Sequence, residues 1–259
     1  MLASRDAGAE PKDTRSFRYR RFHPAEYVVT GIAAPIAIAE YFVAKPQESP
    51  HWVGGILFDD AARDGLRLRS FKDAERAWKM ADTFGVTLVL IVGGLDSVII
   101  PLARGDVDVA WQTSLMNGES FALGSLLTFT LYDTIGRARP GYAECRNETL
   151  TIGCGGTMTA SFPSGHAHEA FTAAGLSCAH HLYGHLYQNR IADIFACTRD
   201  IGLATTEAVL RIMGDRHWAS DVIVGSALGF GFGFALPVML HYVKWTRVMP
   251  MPGGVGFVF

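Results

Sequence analysis

Four stretches of this chain are nearly unbroken apolar runs: residues 27–44, 84–103, 109–132 and 222–243. The first three carry one acidic residue each, Glu40, Asp96 and Glu119, and the last carries only His241. About 20 apolar residues in a helix cross the hydrocarbon core of a bilayer, so the pattern predicts four spans. Two more stretches, 166–187 and 192–210, have helical length but more polar residues. Their charges are tolerable in lipid only on a face turned toward other helices. The pattern therefore predicts an all-α fold, a six-helix transmembrane bundle with its most polar helices at the centre.

The remaining segments fall around that bundle. Residues 1–26 form a polar N-terminal tail, 27–247 the helical membrane domain and 248–259 a C-terminal tail in which regular structure ends. Arg15, Arg18, Arg20 and Arg21 precede the first run, as expected of a cytoplasmic tail before an outward-going helix. Ala37-Ile38-Ala39 resembles a signal cleavage site, but the apolar run continues past it, which favours an uncleaved anchor. Residues 45–82 connect the first two runs with seven basic and seven acidic residues. Part of this connector, from Phe71 through Trp78 to Phe84, has the spacing of an amphipathic helix lying against the bundle. Its charges read as a solvated face.

Composition alone leaves membrane and soluble readings open, with 49% apolar residues and a mean hydropathy of +0.18. A soluble protein with buried helices is the plainer alternative, and the length of the apolar runs argues against it. A net charge of −2 gives no reason to expect a nucleic-acid partner. Four cysteines are too few for a disulfide scaffold.

The chemistry gathers where apolar stretches begin or end. Pro163-Ser164-Gly165-His166 opens the stretch 166–187, the fourth helix of six: Ser164 suits an N-cap, and a helix N-terminus offers backbone N–H groups to an anion. Gly165 allows close approach, and His166 is placed to protonate a leaving oxygen. His217 and Asp221 are four apart at the start of the last stretch, so a helix would put both on one face. There the carboxylate would accept from one ring nitrogen and leave the other unprotonated as a nucleophile. An acidic residue satisfying the helix dipole beside an incidental histidine explains the pair equally well. Arg139 and Arg211 stand at helix ends beside these motifs, and arginine is the favoured forked ligand of phosphate. If the first helix runs outward, all these pieces share the outer side.

Three pieces of sequence then resemble the motifs of the type 2 phosphatidic acid phosphatase family, which shares its site with vanadium haloperoxidases. The family pattern Pro-Ser-Gly-His is complete as Pro163 to His166. Ser-Arg-x5-His-x3-Asp is present as Arg211, His217 and Asp221, with Leu210 in place of the serine. Lys-x6-Arg-Pro ends in Arg139-Pro140 but has Tyr132 where the lysine belongs. The resemblance implies a metal-independent membrane phosphatase, without a cofactor, acting on a lipid phosphomonoester or pyrophosphate at the extracytoplasmic face. His217 would form a phosphohistidine with Asp221 orienting it, and His166 would be the acid. Arg139, Arg211, Ser164, Gly165 and Tyr132 would hold the phosphoryl oxygens. Tyr132 supplies a hydrogen bond but no charge, and Arg137 is a candidate to compensate. A vanadate-dependent haloperoxidase and a non-catalytic lipid-binding module are the rival readings.

The other histidines and the cysteines have quieter readings. His180, His181 and His185 cluster without evident acidic partners and read as helix-end residues at an inner interface. His168 neighbours the site. Cys145 and Cys154 flank a short outer loop and are expected to bridge in an oxidising compartment, whereas Cys178 and Cys197 read as small buried apolar residues.

Overall fold

A computed structural model describes residues 15–43, 47–147, 154, 158–243, 247–251 and 254–258. Six long helices dominate it: α1 (Pro24–Val43), α3 (Phe71–Arg104), α4 (Val107–Ile135), α6 (Gly165–Leu182), α7 (Arg190–Met213) and α8 (Ala219–Tyr242). Short helices α2 (Asp59–Leu66) and α5 (Tyr142–Arg146) lie in the connections. By length and composition, α1, α3 and α8 are apolar enough to cross a membrane. The first 14 residues of the polar tail lie outside the described residues.

Two expectations of secondary structure change at this level. The amphipathic segment before residue 84 is not a separate surface helix. It runs without a break into the apolar stretch as α3, whose residues Leu90–Ile99 wind as a π-helix. The C-terminal tail also keeps regular structure, as an antiparallel pair of strands, β1 (Arg247–Met251) and β2 (Gly254–Val258), with Arg247 opposite Val258.

Helix α6 is the centre of the bundle, packed against α3, α4, α7 and α8. Its buried residues are mostly small, among them Ala167, Ala170, Ala173, Ala174 and Gly175, so neighbouring backbones come close. The closest neighbour is α8, which turns Gly225, Gly229 and Gly233 toward it. A Cβ on these three would stand 2.3, 2.1 and 2.1 Å from the carbonyl oxygens of Ser164, His168 and Thr172. The glycines set the distance between the start of α8 and the start of α6. The Ser164 amide then donates to the Asp221 carbonyl at 2.9 Å.

Large apolar side chains face outward. On α1, Ile32 is 58% and Phe42 78% exposed, while Ala33 and Ala37 are buried where the helix meets α4. Such a skin is costly in water and favourable in lipid. The Cys145–Cys154 disulfide forms. A second bridge, Cys178–Cys197, joins α6 to α7 and corrects the reading of these two as unpaired apolar fillers. Helices that meet through small residues bring the two sulfurs together, which residue spacing along the chain does not reveal.

Candidate active site

The last turns of α4 and α7 and the first turn of α6 surround a cavity of about 510 Å³. Tyr132, Arg139, His166, Glu169, Arg211 and Arg216 line it, with Asp82 of α3 at the side. Gly136, at φ +57°, ends α4 in the left-handed conformation and turns the chain so that Arg139 enters the cavity. Arg139 donates to the Arg216 carbonyl at 3.1 Å. Burial, with Arg216 beside it, lowers its pKa to about 10, so it stays cationic at neutral pH. Arg211 is held in place by Glu207 at 2.6 Å and by Asp82 at 2.7 Å.

The start of α6 is capped as its sequence predicts, but the Ser164 and Gly165 amides expected to hold phosphoryl oxygens are both already paired, that of Ser164 with the Asp221 carbonyl. Ser164 is the N-cap, its Oγ accepting from the Ala167 amide at 3.4 Å. The Gly165 amide donates to the Tyr132 hydroxyl at 2.6 Å, so this N–H is already paired. Tyr132 leans so closely on Gly165 that a Cβ there would sit 2.7 Å from the hydroxyl oxygen. His166 is half-exposed in the cavity, with Nε2 3.7 Å from an Asp82 oxygen.

His217 is 1% exposed. Its Nδ1 bonds the Ser161 carbonyl at 2.8 Å, and its Nε2 is buried with no partner among the described residues. A carbonyl only accepts, so Nδ1 carries the proton and Nε2 the lone pair. Burial, then the charges of Arg139, His166 and Arg211, push the imidazole well below its usual range, against the pull of the Ser161 carbonyl.

Asp221 does not bond His217, contrary to the i,i+4 expectation. Its nearest oxygen is 3.9 Å from Nδ1. Helix α8 begins only at Ala219, so His217 precedes the helix and the helical spacing does not govern the pair. Instead Asp221 accepts from Ser161 Oγ at 2.6 Å, the Trp218 amide at 2.9 Å and Arg137 at 2.5 Å. It fixes the turn that carries His217 and the residue that holds the ring.

Arg137 is equally displaced from its expected role. It is fully buried between Asp221 and Asp59, 2.5 and 2.7 Å away, with its guanidinium 4.0 Å from the Trp52 ring, and so adds no charge to the cavity. Asp59 also accepts from the Ser220 amide and hydroxyl at 2.8 and 2.7 Å. Arg63 of α2 grips Asp215 with two bonds of 2.8 and 2.7 Å. The connector charges, expected to be solvated, thus clamp the 215–221 turn.

Among the histidines after residue 179, His181 has acidic partners after all: Asp193 at 2.8 Å and Asp96 at 3.4 Å. His180 bonds Asn117 and Tyr242, each at 2.8 Å. The carboxylates come from α3 and α7, and long-range packing alone brings them near. His168, in α6, is buried with neither ring nitrogen bonded among the described residues.

A family model described as the PAP2 superfamily matches residues 115–245, the stretch that holds Arg139, His166, Arg211 and His217. The chain belongs to the PAP2 superfamily. None of the curated proteins compared with it matches. Among solved structures, it is similar to one described as the first transmembrane PAP2-type phosphatidylglycerolphosphate phosphatase from Bacillus subtilis. The two are 19% identical, with a TM-score of 0.51 over 83% of this chain and 94% of that one. At that identity the likeness is one of fold, and it extends over most of this PAP2 chain.

Sequence reasoning missed Asp82, Arg216, Asp59 and Ser161. Arg216 had a visible cue, lying inside the five-residue gap between Arg211 and His217. The other three reach the site only through tertiary contacts.

Proposed function

We propose that the protein is an integral-membrane, metal-independent phosphatase of lipid phosphates that works through a phosphohistidine. One observation carries this reading. A buried imidazole with a lone pair at Nε2 lies beside a cavity walled by arginines and a second histidine. His217 Nε2 attacks phosphorus and the bond to the lipid oxygen breaks. His166, protonated beside the negative charge of the bound phosphate, gives that oxygen its proton. Water then attacks the phosphorus, His166 takes the water proton, the P–N bond breaks, and inorganic phosphate leaves with His217 restored. Arg139 and Arg211 stabilise charge gathering on the phosphoryl oxygens. Tyr132, which accepts from Gly165, has its own proton to donate to one of them.

A mostly apolar groove of about 410 Å³ between α1 and α4 supports a lipid substrate, since it shares Tyr41, Phe129 and Glu169 with the cavity. The extracytoplasmic placement follows from an outward α1, which puts the ends of α4 and α7 and the start of α6 on the outer side. The test is phosphate release from a short-chain phosphatidic acid in detergent. Wild type should release phosphate with or without EDTA, and His217→Ala should not. An acid-labile phosphoenzyme should accumulate in the wild type alone. Release that persists in His217→Ala, or that EDTA abolishes, would overturn the proposal.

A further inference from the structure

A second cavity, of about 260 Å³, lies on the far side of Arg139 and Arg216 and shares both of them, and Trp78, with the catalytic cavity. Arg67 and Arg69 complete its basic lining. Two acids also line it, Glu144 and Asp215, and both bond Arg63, at 2.8 Å and at 2.8 and 2.7 Å. Their charge is largely answered from outside the cavity. Arg67 and Arg69 are less fully engaged: Arg67 lies 3.5 Å from Glu144, and its Nε is buried with no partner among the described residues. Arg69 is exposed and makes no ion pair among the described residues, so the cavity reaches the surface. The guanidinium of Arg216 lies 4.7 Å from the Trp78 ring, at the boundary between the two cavities.

The two flanks of the catalytic cavity therefore differ in kind. One opens on an apolar groove suited to a lipid chain, and the other on a basic pocket suited to an anion. Hydrolysis makes one product of each kind. We infer that the basic pocket binds inorganic phosphate, passed from the catalytic cavity across Arg139 and Arg216 on its way to water, while the lipid alcohol returns to the bilayer. The inference rests on the phosphatase reading. A bidentate guanidinium is the side chain best matched to phosphate, and a pair of arginines beyond Arg139 and Arg216 offers the leaving anion a second stop.

The experiment uses the full-length protein and Arg67→Gln/Arg69→Gln, neither position lying in the catalytic cavity. Hydrolysis of short-chain phosphatidic acid is followed with inorganic phosphate added. Wild type should show mixed inhibition, from one phosphate competing with substrate and another delaying release. The double variant should keep KM within about twofold and show competitive inhibition alone, its second-site constant weakened about tenfold or more, as expected for lost charge-assisted bonds. Purely competitive inhibition of the wild type, or an unchanged pattern in the variant, would overturn the inference. A short-chain prenyl diphosphate forms the second arm. A rise in its KM of about tenfold with phosphate inhibition unaltered would mean that the pocket serves a second phosphate of the substrate, and would also overturn it. Wild-type turnover of phosphatidic acid and its loss in His217→Ala are scored separately, so failure here leaves the phosphatase reading standing.

Discussion

Four side chains carry the proposed chemistry, and each comes from a different turn of the chain. Arg139, His166, Arg211 and His217 could be picked from short patterns, and the structure groups them around one cavity or beside it. Asp221 was legible as a residue, but its partner was not, because the His217 ring lies ahead of the helix and turns to Ser161. Tyr132 can be weighed directly. Tyr132→Phe keeps the ring but strips the Gly165 amide of its acceptor, and a phosphoryl oxygen of its donor in the proposed mechanism. A charge-assisted bond is worth about 1.5–3 kcal/mol, so kcat/KM for short-chain phosphatidic acid should fall roughly ten- to a hundredfold. His217 makes a pH prediction. Its folded pKa is depressed, so below about 6.5 the unfolded chain binds a proton that the folded chain refuses. Stability from this group is intact above that pH and is lost as pH falls, by about 1.4 kcal/mol per unit until the folded pKa is reached. Unfolding in detergent at several pH values should show wild type losing stability relative to His217→Gln on acidification. A parallel pair of curves would refute the assignment.

Elements were legible in their apolar stretches and obscure where polar groups act over distance. The runs at 27–44 and 222–243 correspond to helices α1 and α8, since hydrophobic length is a local property. The continuity of α3 was hidden because its first turns are charged and only its later ones apolar. The role of α2 was hidden for a different reason. Equal numbers of acids and bases look solvated in a sequence, and only packing shows that Asp59 is fully buried against Arg137. Breaking a buried pair on one side leaves an unanswered charge, at a cost of about 3–5 kcal/mol. Asp59→Asn should therefore lower the unfolding temperature and reduce kcat more than it raises KM, because the turn under His217 loosens while the phosphate ligands stay. Asp59→Glu, which keeps the charge, should recover part of both. A rise in KM with kcat intact would contradict this role.

At the scale of the molecule, four long helices, α3, α4, α7 and α8, pack around α6, large apolar side chains face outward, and membership of the PAP2 superfamily agrees with that architecture. The sequence conveyed the helical class through hydrophobic length, but it could not convey the close contact of α6 with α8. Small residues carry no strong pattern until their neighbours are known. The Cys178–Cys197 bridge belongs to this scale, as it ties α6 to α7 with both cysteines buried. Closing a loop of about 20 residues is worth roughly 3 kcal/mol in the chain-entropy account. Cys178→Ala/Cys197→Ala should unfold at a lower temperature in detergent by a corresponding amount. A bulky maleimide should fail to label the native wild type without reductant.

The clamp of α2 on the 215–221 turn has a further consequence. A segment that joins the first two long helices like a tether holds a veto over chemistry on a loop far downstream. Replacing residues 56–66 with a flexible linker of the same length would leave every motif residue in the chain and still yield a silent enzyme. Inserted protein that has lost its turnover would be the mark of that veto.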